Sequence, residues 1–161
     1  MKEIFLKEIQ LHEKQIYKIC HFYAKNETDR QDLYQEILLQ LWKGYPNFRG
    51  ESKFNTWLYQ VAINTAMTRL RNDKKNIHVY DPGHLSREAQ TGDTHSNKEE
   101  LYDAMYSAID QLNDIEKALV LLFLDGKPYS EIETILGISE PTLRVKMNRI
   151  KEKLRQLTKN I

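Results

Sequence analysis

Apolar residues recur along this chain at three- and four-residue steps, and that spacing predicts a succession of helices. Ile4, Phe5, Ile9, Leu11, Ile16, Ile19, Cys20 and Tyr23 mark one or two amphipathic helices ending near Ala24. After the polar run Lys25–Asp29, Thr28 or Asp29 can cap a helix carrying Leu33, Ile37, Leu38, Leu41 and Trp42, which Gly44 and Pro46 end. Beside that stripe Asp32, Gln35, Glu36, Leu39 and Lys43 form a ridge, and on their own these residues fit a solvated face equally well. Phe48, Arg49 and Gly50 form a short loop before a helix anchored by Phe54, Trp57, Leu58, Val61, Ala62, Thr65 and Leu70. Asn76–Lys98 is poor in apolar residues and holds Pro82, Gly83 and Gly92, so it reads as a mobile linker. Periodicity resumes at Glu99 with Leu101, Met105, Ala108, Ile109 and Leu112, then Leu119, Leu122 and Phe123.

The last stretch predicts a helix-turn-helix. Ile132, Ile135 and Leu136 share a face, and Gly137 follows as a left-handed cap. Ser139 suits an N-cap, Glu140 the positive first turn, and Pro141 an early position where its missing N–H breaks no bond. Leu143, Met147, Ile150, Leu154 and Leu157 then make one core stripe. Thr142, Arg144, Val145, Asn148 and Arg149 point away from it, on the part of a recognition helix that enters the major groove. Guanidinium forks reach guanine edges or phosphates, Asn148 can pair with adenine, and Val145 can touch a thymine methyl. An ordinary helical hairpin with a basic solvated face is the bland alternative.

Charge sharpens this picture more than composition does. The chain has 161 residues and a net charge of only +1, unevenly laid out. Arg49–Lys75 carries six basic and two acidic residues, and Lys127–Ile161 carries eight and four, so each is +4. The middle, Asn76–Gly126, has three basic and ten acidic residues, or −7. Two basic modules separated by an acidic stretch suit two phosphate-touching surfaces. In the first, Arg69, Arg71, Lys74 and Lys75 crowd a helix end near the aromatic loop, a composition that binds unstacked bases, though core aromatics with helix-terminal cations explain it too.

Other classes are disfavoured. No apolar run approaches the roughly 18 residues of a membrane span, and the start lacks a secretory signal, so a cytoplasmic protein without membrane insertion is expected. Cys20 is the only cysteine, which excludes an internal disulfide and suits a small buried thiol. His12, His21, His78, His84 and His95 lack metal-ligand spacing, and no phosphate loop or nucleophile elbow is present. Neither an enzyme, a metal, a cofactor nor a small-molecule substrate is expected.

The run DLYQEILLQLWKGYPNFRGESKFNTWLYQVAINTAMTRLR resembles region 2 of bacterial sigma factors, particularly the extracytoplasmic-function group of the sigma-70 family. The segment LDGKPYSEIETILGISEPTLRVKMNRIKEKL resembles their region 4. The resemblance implies an all-α protein of two small helical domains, at 1–75 and 99–161, joined by the linker at 76–98. It further implies that the chain binds core RNA polymerase, directs promoter recognition, DNA melting and transcription initiation, and answers to an anti-sigma factor. Asp32, Gln35, Glu36 and Leu39 would dock on the polymerase clamp coiled coil. Phe48, Arg49, Gly50, Asn64, Arg69 and Arg71 would serve the minus-ten element, with the Phe48–Gly50 loop capturing a flipped base. Thr142, Arg144, Val145, Asn148 and Arg149 would read the minus-thirty-five element. Pro141 departs from the small residue usual there, which bears on the approach to the phosphate backbone.

A linker of 23 residues reaches on the order of 75 Å extended but only about 25–30 Å as a relaxed coil. Promoter elements two DNA turns apart, roughly 70 Å, therefore need polymerase to hold the domains apart. The free protein is expected to be more compact than the bound one, with its DNA surfaces masked. Two other classes remain: a stand-alone helix-turn-helix regulator of duplex DNA, and a purely protein-binding helical adaptor.

Overall fold

A computed structural model describes residues 1–75 and 97–159. Regular structure among them is helical: α1 (Lys2–Leu11), α2 (Glu13–Tyr23), α3 (Glu27–Gly44), a 3-10 turn at Tyr45–Asn47, α4 (Phe54–Lys75), α5 (Asn97–Asp110), α6 (Asp114–Leu124), α7 (Tyr129–Leu136) and α8 (Glu140–Leu157). The expected linker, Asn76–Lys98, lies outside the described residues except for its last two, which already belong to α5.

The N-terminal helices break at His12, whose ring nitrogen bonds the Glu8 carbonyl at 2.8 Å, and Phe5, Ile9, Ile16, Ile19 and Cys20 are buried. The cap of α3 differs from expectation. Asn26 takes that role, its Oδ1 accepting from Asp29 N at 2.8 Å, so Thr28 and Asp29 fall inside the first turn. An Asn one turn upstream serves better because its amide also donates to the Asp29 carboxylate at 2.9 Å. Leu33, Ile37 and Leu41 are the buried stripe of α3, while Trp42 is partly exposed.

Helix α4 buries more than its sequence stripe announced. Leu58 and Ala62 are fully covered as expected, but so are Tyr59, Ile63 and Ala66. The cause is a second neighbour: α4 packs on α2 and α3 and also on α6 and α7. One apolar core consequently runs from Phe5 to Ile150 through both halves of the chain. Helix α6 is covered almost all round, including Lys117, whose ammonium lies 5.8 Å from the Tyr23 ring centroid. Its N-terminus carries a capping box, with Asn113 accepting from Glu116 N at 2.8 Å and Glu116 accepting from Asn113 N at 3.0 Å.

Gly137 ends α7 at φ 70°, a left-handed turn that a side chain would strain, and its N–H bonds Glu133 O at 2.8 Å. Ser139 is the N-cap of α8, yet its hydroxyl bonds the Thr142 hydroxyl at 2.9 Å rather than the backbone. Glu133 supplies the missing acceptor, taking Glu140 N–H at 3.2 Å from across the turn. Ile132, Leu143, Met147 and Ile150 seal the two helices together, and burial fades toward Leu154 and Leu157.

Candidate nucleic-acid interface

The helix-turn-helix sets five side chains on one open face. Thr142, Arg144, Val145, Asn148 and Arg149 are all exposed, because the opposite face of α8 is committed to the core through Leu143, Met147 and Ile150. Arg144 is pre-ordered: Nη2 donates to Glu140 Oε1 at 2.8 Å, and the guanidinium lies 4.5 Å from the Tyr129 ring centroid. Such a stacked, paired fork loses little rotamer freedom when it engages a base edge or phosphate. Tyr129 and Glu133, which hold Arg144 and the start of α8, were not among the expected site residues. Their only sequence signal is position, one turn apart on the helix before Gly137.

The second surface lies on α3 and α4. Asp32, Gln35, Glu36 and Leu39 are exposed along one ridge of α3. Phe48 is half-buried rather than presented freely. Its ring packs 5.1 Å from Trp57, edge-on to Phe54 at 5.8 Å and stacked with Tyr45 at 6.4 Å. This aromatic cluster fixes the loop, whereas Arg49 and Gly50 stand at its exposed tip. Gly50 adopts φ 72° with open space around it, so the backbone there can be approached closely. Between α3 and α4 runs a shallow groove of roughly 690 Å³ lined by Glu36, Gln40, Asn64, Thr68, Arg69 and Asn72. Asn64 and Arg69 thus share one polar trough with the ridge residue Glu36.

Two of the three arginines expected to serve the minus-ten element already hold carboxylates. Arg69 pairs with Asp32 at 3.7 Å, and Arg71 Nε bonds Asp114 Oδ2 at 3.2 Å. Arg71 therefore reaches across to α6 instead of standing free with Arg69. The recognition face of α8, in contrast, remains uncovered, so the expected masking does not extend to it. The side chains of Lys74 and Lys75 are outside the described part of the structure.

Burial governs the titration of the groups behind these surfaces. Desolvation pushes the Cys20 thiol up to about 12, outweighing the opposing pull of Arg69 and Arg30. It also raises the Tyr23 hydroxyl well above the usual phenol range, helped by nearby Asp114, and that hydroxyl donates to Asp114 O at 2.6 Å. Among the described residues no group of His, Cys, Asp and Glu could hold a metal ion, and no helix is long and apolar enough to cross a membrane.

Known proteins share this arrangement. The family model for Sigma-70 region 2 matches residues 9–76, and that for Sigma-70 region 4 matches residues 102–154. The sigma-E factor of Haemophilus influenzae, an extracytoplasmic-function RNA polymerase sigma factor, is 30% identical over 138 residues, covering 79% of this chain and 73% of that protein. Its Escherichia coli K12 counterpart is 30% identical over 135 residues, covering 77% and 71%. In fold, the sigma factor RpoE of Bartonella quintana, solved in complex with the anti-sigma factor NepR, superposes with a TM-score of 0.76 at 19% identity over 98% of each chain.

Proposed function

The chain belongs to the extracytoplasmic-function group of the sigma-70 family, and on that premise we propose that it docks on core RNA polymerase through the α3 ridge and meets the promoter with two separate surfaces. As a sigma factor it directs promoter recognition for polymerase. In this reading residues 1–75 bind polymerase and the minus-ten element, 76–98 link, and 99–161 bind the minus-thirty-five element. Asp32, Gln35, Glu36 and Leu39 meet the polymerase clamp, an assignment supported by their exposure on one ridge. Arg49, Gly50, Asn64, Arg69 and Arg71 meet the melted downstream strand, and Phe48 holds the loop that captures its flipped base.

The observation that carries the reading is the pairing of an exposed recognition face on α8 with an independent surface on α3–α4, where an aromatic cluster backs the Phe48–Gly50 loop beside a polar groove. A regulator of duplex DNA alone needs the first and leaves the second without a role. The protein supplies binding energy and strand separation and no covalent step. It works in the cytoplasm, where polymerase is, and is held in check by an anti-sigma partner of the kind seen with the Bartonella protein. Titration of labelled protein into core polymerase, followed by footprinting on promoter DNA, tests this. Tight binding to core with footprints at two elements is expected. A footprint from the protein alone that core leaves unchanged would instead identify a duplex-only regulator.

A further inference from the structure

Helix α6 is tied at both ends to the other half of the chain. At its first turn Asp114 Oδ2 accepts from Arg71 Nε on α4 at 3.2 Å, while its carbonyl accepts from the Tyr23 hydroxyl on α2 at 2.6 Å. Just past its last turn Asp125 Oδ1 accepts from Lys18 Nζ on α2 at 2.9 Å, and Oδ2 accepts from the hydroxyl of Tyr59 on α4. One acid, one cation and one tyrosine meet at either end. Tyr59 has no exposed surface and the Asp125 side chain is only 14% exposed, so the bond between these two is largely withdrawn from water, whereas Lys18 reaches Asp125 from solvent. Gln60 adds a bond from α4 to the Thr134 carbonyl of α7 at 2.9 Å.

We propose that Asp114 and Asp125 form a two-point latch that holds the halves closed, and that Arg71 leaves Asp114 for promoter phosphate when the latch opens. The exchange, though not the latch, rests on the reading of Arg71 as a minus-ten contact. A carboxylate occupies the place a phosphate takes later, so the two acceptors compete for one guanidinium. Size makes opening obligatory. A compact chain of this length is on the order of 40 Å across, whereas the two promoter elements lie roughly 70 Å apart. Each latch group is strongly hydrated once separated, so the interface suits reversible opening better than a wholly apolar one. Polymerase, by selecting the open form, is weakened by whatever fraction of the protein is closed.

The test measures a distance in the whole chain. Spin labels at Lys7→Cys on α1 and Gln156→Cys on α8 sit on exposed positions, and buried Cys20 stays unlabelled. Wild type should give one short distance. Asp114→Asn with Asp125→Asn should lower the closed-to-open ratio about tenfold and raise apparent affinity for core polymerase by the same factor, the size expected for losing two such pairs. Lys18→Gln breaks the latch from an exposed side chain and serves should either Asn variant fail to fold. Unchanged distances and affinity in folded variants would overturn the latch. Exchanging the charges, Arg71→Asp with Asp114→Lys, should restore the short distance while lowering minus-ten strand affinity. Restoration with wild-type strand affinity would overturn the Arg71 exchange and leave the latch standing.

Discussion

Arg144 and Arg149 share a face but differ in preparation. Arg144 is held by Glu140 and Tyr129, whereas Arg149 stands exposed further along α8. Replacing either with alanine should weaken upstream-element recognition by about 1–3 kcal/mol if it reads a base, with a smaller effect on polymerase binding. Footprint titrations on matched and mutated elements decide this, and equal footprints for wild type and both variants would reject base reading. Cys20 offers a residue-level check on the core. Its thiol is raised from 9.0 to about 12, so the folded protein keeps it neutral where an unfolded chain would ionise it. The resulting stability is complete below pH 9.0 and falls as pH climbs toward about 12. Denaturant midpoints should drop over that window more in wild type than in Cys20→Ala, and parallel profiles would show that the thiol does not contribute.

Among the elements, the proposed polymerase and melting roles fall to the α3 ridge and the loop after it. Reversing the charges of Asp32 and Glu36 should cut core-polymerase affinity and its salt sensitivity while circular dichroism stays unchanged, since rim charges act mainly on association. Asp32 also loses its pairing with Arg69, so a small gain in strand binding should accompany the loss. Unchanged binding to core would remove the ridge from the interface. Phe48→Ala with Arg49→Ala should leave closed complexes mostly intact and depress open ones, because flipping a base costs a few kcal/mol that this loop must return. A template already unpaired downstream should recover part of the loss, and wild-type permanganate reactivity on duplex promoters would contradict base capture. The order of these helices and most of their buried positions were legible from apolar spacing, as was the left-handed end at Gly137, but Ile4, Leu11, Leu101 and Phe123, read into the stripes, stand exposed. The cap of α3 was not, because Asn26, Thr28 and Asp29 are all good cap formers and only geometry chooses among them. Phe48 looked like an available platform, since a sequence does not reveal that Tyr45, Phe54 and Trp57 converge on it.

The whole molecule is where sequence reading reached least far. The periodicity of α4 announced one stripe, but Tyr59, Ile63 and Ala66 are buried because α6 and α7, far later in the chain, also pack on this helix. The −7 charge of the middle segment likewise looked like spacing, yet two of its acids, Asp114 and Asp125, are the groups that Arg71, Lys18 and Tyr59 hold. The open recognition face of α8, beside a core that both halves share, was not legible either. That this protein gives core polymerase its choice of promoter is checked by transcription in vitro. Core polymerase with and without the protein should be run over a library of genomic promoter fragments. New transcripts are expected from a small set of fragments sharing two elements about two turns apart, all lost when the protein is omitted. The same transcripts from core alone, or none in the presence of folded protein that binds duplex DNA by itself, would contradict it.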